Sequence, residues 1–86
     1  MRIEKKTWPK PFQAIMDGIK TFDVRLADFD AKPGDVLILR EFDPARGDYT
    51  GRVMEKPITF VINTKDQEFW TQDEIDQYGL QIFGFK

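Results

Sequence analysis

The chain contains no cysteine and no histidine. The absence of cysteine excludes disulfide bonds and thiolate nucleophiles, and it is typical of proteins in a reducing compartment. The absence of histidine excludes Ser-His-Asp catalysis and the usual zinc sites. No acidic segment has the spacing of a calcium-binding loop either, so we expect neither a metal nor a cofactor.

Long apolar runs are also missing. No segment is long and apolar enough to cross a bilayer, and residues 1–4 lack the apolar core of a signal peptide. We therefore expect a cytoplasmic protein with no membrane partner. Its 86 residues suffice for a single domain, 1–86, with one modest core, and a hydrophobic fraction of 41% favours a folded globule. We expect this domain to be a monomer.

Charge is low overall but unevenly distributed. The formal net charge of −2 argues against strong sequence-independent binding to nucleic acid, because that affinity comes from many phosphate contacts. Residues 1–25 carry six Lys or Arg against three acidic residues, whereas residues 66–76 carry five acidic residues and no basic one. This pattern indicates either a mixed solvated surface or a basic face for a small anionic ligand, with an acidic face turned away.

Local patterns in the first part of the chain predict a strand, a helix and a second strand. Residues 2–7 are typical of a short first strand. Apolar side chains at i, i+3, i+4 and i+7 then predict an amphipathic helix that ends at Gly18. Alternation of polar and apolar residues over 21–26 predicts the second strand. The apolar stripe of the helix consists of Phe12, Ile15, Met16 and Ile19.

The remaining patterns predict a set of short strands and one more helix. This order fits neither a doubly wound parallel sheet nor a helical bundle. We therefore expect an α+β fold, a small and mostly antiparallel β-barrel with one or two short helices. The predicted elements are a strand over 36–39, a hairpin turn over 43–48, a return strand over 49–54, a bulge or bend at Pro57, a strand over 58–62, a helix from Thr71 (with Glu74 in a capping box) to Gly79, and a closing strand over 80–85.

The most informative motif follows the predicted helix and reads G-x-K-x-x-D-x-R over residues 18–25. On a strand, Thr21, Asp23 and Arg25 share one face, and Lys20 in the preceding turn can swing toward it. Such a cluster fits a nucleotide-binding site, in which Asp23 binds the exocyclic amine of a base and Arg25 a phosphate or ring. It fits proton transfer by Lys20, or a structural ion pair at a strand end, equally well.

Three further residues near this motif are candidates for ligand contacts. Trp8, close to Lys6, is either packed against the helix or exposed as a stacking platform for an unpaired base. Arg52, near the base of the hairpin, has either a folding role or a ligand contact.

Taken together, these motifs resemble the ASCH domain family of the PUA-like fold, and most closely its uncharacterised DUF3850 group. The resemblance covers about the first 62 residues and departs from the group at Ile3, where the group often has His, and at Phe29, where it often has Arg. It is carried by Lys6, the helix ending at Gly18, the string 20–25, Gly34-Asp35, the string 40–44, Gly47 and the string 49–52.

The resemblance implies an RNA- or nucleotide-binding module with a cleft between the first helix and the second strand. The candidate ligand residues are Lys6, Trp8, Lys20, Thr21, Asp23, Arg25 and Arg52. The resemblance also implies an alternative, an amidohydrolase acting on N4-acetylcytidine or a similar modified cytidine. Lys20 matches the catalytic Lys of that group, Asp23 stands where it has Thr, and its Glu has no counterpart, so we assign no catalytic residue. A third alternative is that the hairpin over 40–52 is a protein-binding arm.

Overall fold

The computed structural model describes residues 1–83 and Phe85. The fold is a small α+β arrangement of an open three-stranded sheet and two helices. In chain order the elements of the described residues are β1 (Arg2–Thr7), α1 (Pro9–Met16), β2 (Val36–Asp43), β3 (Asp48–Pro57), a 3-10 turn (Thr64–Asp66) and α2 (Gln72–Tyr78). The strand order is β1-β2-β3, with β1 parallel to β2 and β2 antiparallel to β3.

Both predicted helices are confirmed, and their ends have clear local causes. Helix α1 begins with Pro9 in its first turn, where the missing N–H has no intrahelical partner to lose. It ends before Gly18, whose φ of 76° lies in the left-handed region that glycine adopts without steric cost. Helix α2 begins at a complete capping box between Thr71 and Glu74. Among the described residues, no helix has the length and apolar character needed to cross a membrane.

The core lies between α1 and one face of the sheet. Phe12 and Ile15 of the helix pack on Leu39 of β2, with Leu37 and Met54 at the margin. Because side chains alternate along a strand, Leu37, Leu39 and Glu41 of β2 share this side, which we call the helix face. The intervening residues of β2 point to the opposite side, the outer face.

Strand β3 contains the main irregularity of the sheet. Arg40 pairs with Val53 and Phe42 with Tyr49, so the three residues 50–52 lie opposite Glu41 alone. Gly51, with a φ of 95°, adopts the left-handed conformation that such a bulge requires. A bulge or bend was predicted at Pro57, before a resumed strand. The structure has no bulge there: Pro57 pairs with Val36 and is the last residue of β3, since proline cannot donate to the ladder.

Three predicted strands do not form, and the sheet is mixed and open. Residues 21–26, 58–62 and 80–83 have no strand conformation. Phe85 also lies outside any strand, and the prediction for residue 84 lies outside the described residues. Alternation shows only that a segment can be half-buried, and a strand also needs a neighbour to complete its ladder. Here residues 20–25 are held by side-chain bonds to β1.

Candidate ligand-binding site

Asp23 is the centre of a charged cluster just after α1. Its two carboxylate oxygens contact different cations: Arg25 Nε donates to Oδ2 at 2.7 Å, and Lys20 Nζ lies 3.6 Å from Oδ1. The Lys20 ammonium also donates to the carbonyl of Phe22 at 2.7 Å. The side chains are only 16–26% exposed. The structure therefore brings together the three charged residues of the motif, without the strand that was expected to align them.

Arg25 anchors this cluster to the end of β1. Its Nη1 donates to the carbonyl of Lys6 at 2.6 Å, and its Nη2 donates to the hydroxyl of buried Thr7 at 2.8 Å. A guanidinium carries five N–H donors. The bonds to Asp23, Lys6 and Thr7 use three of them. Arg25 thus fixes the segment in place and keeps two donors for a ligand.

Two hollows meet at this cluster. The larger, which we call the groove, has a volume of about 530 Å³ and lies between residues 20–31 and residues 56–63. The smaller, which we call the side hollow, has a volume of about 400 Å³ and is bounded by the end of β1 and the start of α1. The residues that line both are Lys20, Phe22, Asp23 and Arg25. The cluster therefore forms a shared rim between two cavities.

The charge in the groove is slightly positive. Lys20, Arg25 and Lys56 contribute three cations, against the two carboxylates of Asp23 and Asp30, which leaves one net positive charge. Lys56 comes from β3 and was not identified in the sequence, because only the pairing of β3 with β2 brings it near residues 20–31. A monoanionic group fits this balance.

Trp8 and Thr21 lie at the edges of the two cavities. Trp8 lines the side hollow and is 59% exposed, so its indole is available to a flat partner. Thr21 lines the groove, and its hydroxyl donates to the carbonyl of Phe85 at 3.2 Å.

Lys6 contributes its backbone, and not its ammonium, to the cluster. Its carbonyl accepts the bond from Arg25, and the residue lines the side hollow. Its Nζ lies 4.0 Å from the ring centroid of Phe42 on the outer face. The alternation of β1 explains this, since Lys6 and Thr7 must point to opposite sides of the sheet.

Arg52 lies apart from both cavities. Its guanidinium donates to both carboxylate oxygens of Glu41, through Nε at 3.0 Å and Nη2 at 2.9 Å. Nη2 also donates to Gln13 of α1 at 2.9 Å. Arg52 therefore joins the helix to the sheet.

Glu41 is a buried charge that the sequence reasoning missed. It accepts bonds from Arg52 and, at 2.6 Å, from the hydroxyl of Thr50. The bonds from Arg52, and then that from Thr50, lower the pKa of Glu41 to about 2 and outweigh the opposing effect of burial. The sequence did contain an indication of this buried charge: an acidic residue within the apolar strand β2, opposite the glycine-containing segment 50–52.

The described residues contain no group of three or more acidic side chains arranged to hold a metal ion.

Comparison with known proteins shows the family of this chain. It belongs to the DUF3850 family, described as "Domain of unknown function (DUF3850)", which matches residues 4–75. The match confirms the predicted resemblance to that group. A similar protein is the "Uncharacterized 12.9 kDa protein in GpA 3'region" of Escherichia phage P2, which is 35% identical over 72 residues. The aligned region covers 84% of this chain but only 62% of the phage protein, less than two thirds of its length. No solved structure matches this chain.

Proposed function

We propose that this protein is an RNA- or nucleotide-binding module whose ligand lies between α1 and residues 20–25. We call this binding region the cleft; it consists of the side hollow and the adjoining end of the groove. One observation supports this most directly: Lys20 and Arg25 are held by Asp23 on a rim shared by two cavities, beside the exposed indole of Trp8. Charged donors of fixed position next to an aromatic surface are the elements that recognise a nucleotide.

Each side chain has a distinct part in this proposal. Lys20 supplies a point charge for a phosphate, whereas the planar guanidinium of Arg25 offers its two unused donors in a fixed direction. Asp23 accepts a hydrogen bond from the exocyclic amine of a base. Trp8 stacks on the same base from the side hollow.

The geometry favours binding over amide hydrolysis. The Lys20 ammonium donates to the carbonyl of Phe22 and faces Asp23, so its protons are engaged with acceptors. A general base instead needs a lone pair directed at the attacking water.

Lys20→Ala is expected to weaken nucleotide binding about tenfold. It should also reduce the slope of log K against log salt concentration by about one, the value for one lost phosphate contact. The measurement is Trp8 fluorescence in a Trp70→Phe background, titrated with nucleoside monophosphates and short single-stranded RNAs at several salt concentrations. Lys10→Ala, which removes the same charge from an exposed position on α1, is the matched control.

Two results would count against this proposal. The first is the absence of any fluorescence response at low salt, where phosphate contacts are strongest. The second is an equal loss of affinity in Lys20→Ala and Lys10→Ala. Release of acetate from N4-acetylcytidine, abolished by Lys20→Ala, would instead establish the amidohydrolase.

We also propose that the open sheet belongs to a PUA-like barrel, completed by residues 58–62 and the last segment of the chain. Phe60 and Ile82 are 74% and 53% exposed. The interior of a closed barrel would cover such apolar side chains. Backbone pairing protects amides from hydrogen exchange. We expect slower exchange over 58–62 and 80–83 than over the loop 67–70. Equal exchange rates in these segments would exclude the closed barrel.

A further inference from the structure

The outer face of the sheet carries a compact group of cations and aromatic rings. Phe42 and Tyr49 pair across β2 and β3, with their ring centroids 5.3 Å apart and their planes at 81°. Arg40 Cζ lies 4.2 Å from the ring centroid of Tyr49, and Lys6 Nζ lies 4.0 Å from that of Phe42. We call these four residues the outer cluster. None of its side chains contributes to the charged cluster at Asp23.

The two cations of the outer cluster are not neutralised by carboxylates. Within the described part of the chain, neither Lys6 nor Arg40 forms a salt bridge, whereas Arg2 on the same face pairs with Glu55. Helix α1 packs on the opposite side of the sheet, and Lys6 is exposed. The outer cluster therefore presents two positive charges together with two half-buried aromatic rings.

This combination selects a ligand that is both anionic and aromatic. A purely acidic peptide such as poly-glutamate would satisfy the cations but offers no ring to stack, and a duplex hides the faces of its bases. A single strand of nucleic acid offers phosphates and unpaired bases together. The plane of an arginine guanidinium, here that of Arg40 over the ring of Tyr49, is itself a platform for an unpaired base.

Lys6 connects the outer cluster to the cleft. Its carbonyl is bonded to Arg25 in the cleft, and its ammonium lies over Phe42 on the outer face. A ligand that leaves the cleft around the edge of β1 therefore meets the outer cluster next. We propose that the outer cluster is a second contact site for single-stranded RNA, where an unpaired base stacks on the Arg40–Tyr49 pair. This inference rests on the proposed function of the cleft.

A single-stranded RNA that reaches both the cleft and the outer cluster binds more tightly because the two contacts are linked, whereas a mononucleotide occupies the cleft alone. The test therefore uses two probes, UMP followed by Trp8 fluorescence and a fluorescein-labelled oligo(U) of about eight nucleotides followed by anisotropy. The combined substitutions Arg40→Gln and Tyr49→Leu should weaken oligo(U) binding about tenfold and leave UMP binding unchanged. Tyr49→Phe keeps the ring and should retain nearly full affinity.

Arg2→Gln is the matched control, since it removes a cation from the same face but outside the outer cluster. If the double variant does not fold, Arg40→Gln alone provides the test, because its side chain lies at the surface of the sheet. Loss of oligo(U) affinity no greater than in Arg2→Gln, or no binding of oligo(U) by the parent protein, would overturn the proposal. So would equally tight binding of poly-glutamate, because the surface would then recognise charge without bases.

The two proposals fail in different ways. If Lys20→Ala leaves UMP binding unchanged while the Arg40→Gln and Tyr49→Leu variant loses oligo(U) affinity, the cleft is refuted and the outer cluster stands. If Lys20→Ala weakens binding and the Arg40→Gln and Tyr49→Leu variant does not, the outer cluster only stabilises the hairpin.

Discussion

Glu41→Gln is expected to lower the midpoint of thermal unfolding by on the order of 10 °C at neutral pH. The substitution removes the negative charge that Arg52 contacts through two bonds, and Glu41 itself is buried. Circular dichroism during heating measures the change. Glu55→Gln, in the exposed pair with Arg2, is the control and should shift the midpoint by only about 1 °C. Equal shifts in the two variants would contradict the structural role assigned to Glu41.

The effect of Glu41 should also depend on pH in a defined direction. Its pKa falls from 4.5 to about 2 on folding, so the native state favours the ionised carboxylate. The resulting stabilisation is complete above the unfolded pKa and disappears as the pH falls toward the folded pKa. The difference in stability between the parent protein and Glu41→Gln should therefore be constant above pH 4.5 and shrink between pH 4.5 and about 2. A difference that persists undiminished at pH 2 would contradict this assignment.

Phe12→Ala should lower the free energy of unfolding by about 3–5 kcal/mol, a large fraction of the total. Phe12 is 0% exposed and packs on Leu39, which is 1% exposed. Truncation of a buried phenylalanine costs about 3–5 kcal/mol, against a total stability of roughly 4–13 kcal/mol for a chain of this length. Urea unfolding followed by circular dichroism measures the loss.

Two further variants make the core prediction specific. Phe69→Ala removes the same side chain from a loop position that is 87% exposed and should have little effect. Phe12→Leu keeps an apolar side chain and should lose much less stability than Phe12→Ala. If Phe12→Ala and Phe69→Ala cost the same, the core is not organised around Phe12.

The elements that were predicted correctly depend on interactions between residues close in sequence. The core-facing pair Phe12 and Ile15 of α1 and the capping box of α2 each lie within a few residues, as does the hairpin turn over 43–48. The other two members of the predicted stripe, Met16 and Ile19, are exposed. Helix periodicity and capping are local properties, so a single sequence contains the information needed.

The incorrect predictions depend on pairing between distant segments. Residues 21–26 alternate as a strand does, but they are attached to β1 through the side chain of Arg25. The bulge is at Gly51 because glycine tolerates the required backbone conformation, and because it lies opposite a carboxylate that needs partners. Neither the conformation of residues 21–26 nor the position of the bulge can be predicted without knowing how the distant segments pair.

The candidate site was predictable only in part. The short spacing of Lys20, Asp23 and Arg25 was sufficient to indicate their convergence, which the structure shows. The partnership of Arg52 with Glu41 was not predictable, because it spans eleven residues across two strands and depends on the bulge. The position of the Lys6 ammonium on the outer face follows from simple alternation along β1.

The position of Arg52 determines which wall of the cleft can move. Arg52 is bonded to Glu41 within the sheet and also donates to Gln13 of α1, so tilting this helix would require breaking the bond between Arg52 and Gln13. The opposite wall, residues 20–25, adjoins Gly18 and is attached to β1 by two bonds from the side chain of Arg25. We therefore expect a ligand to be admitted and released by swinging of this wall about Gly18, while the helix stays in place.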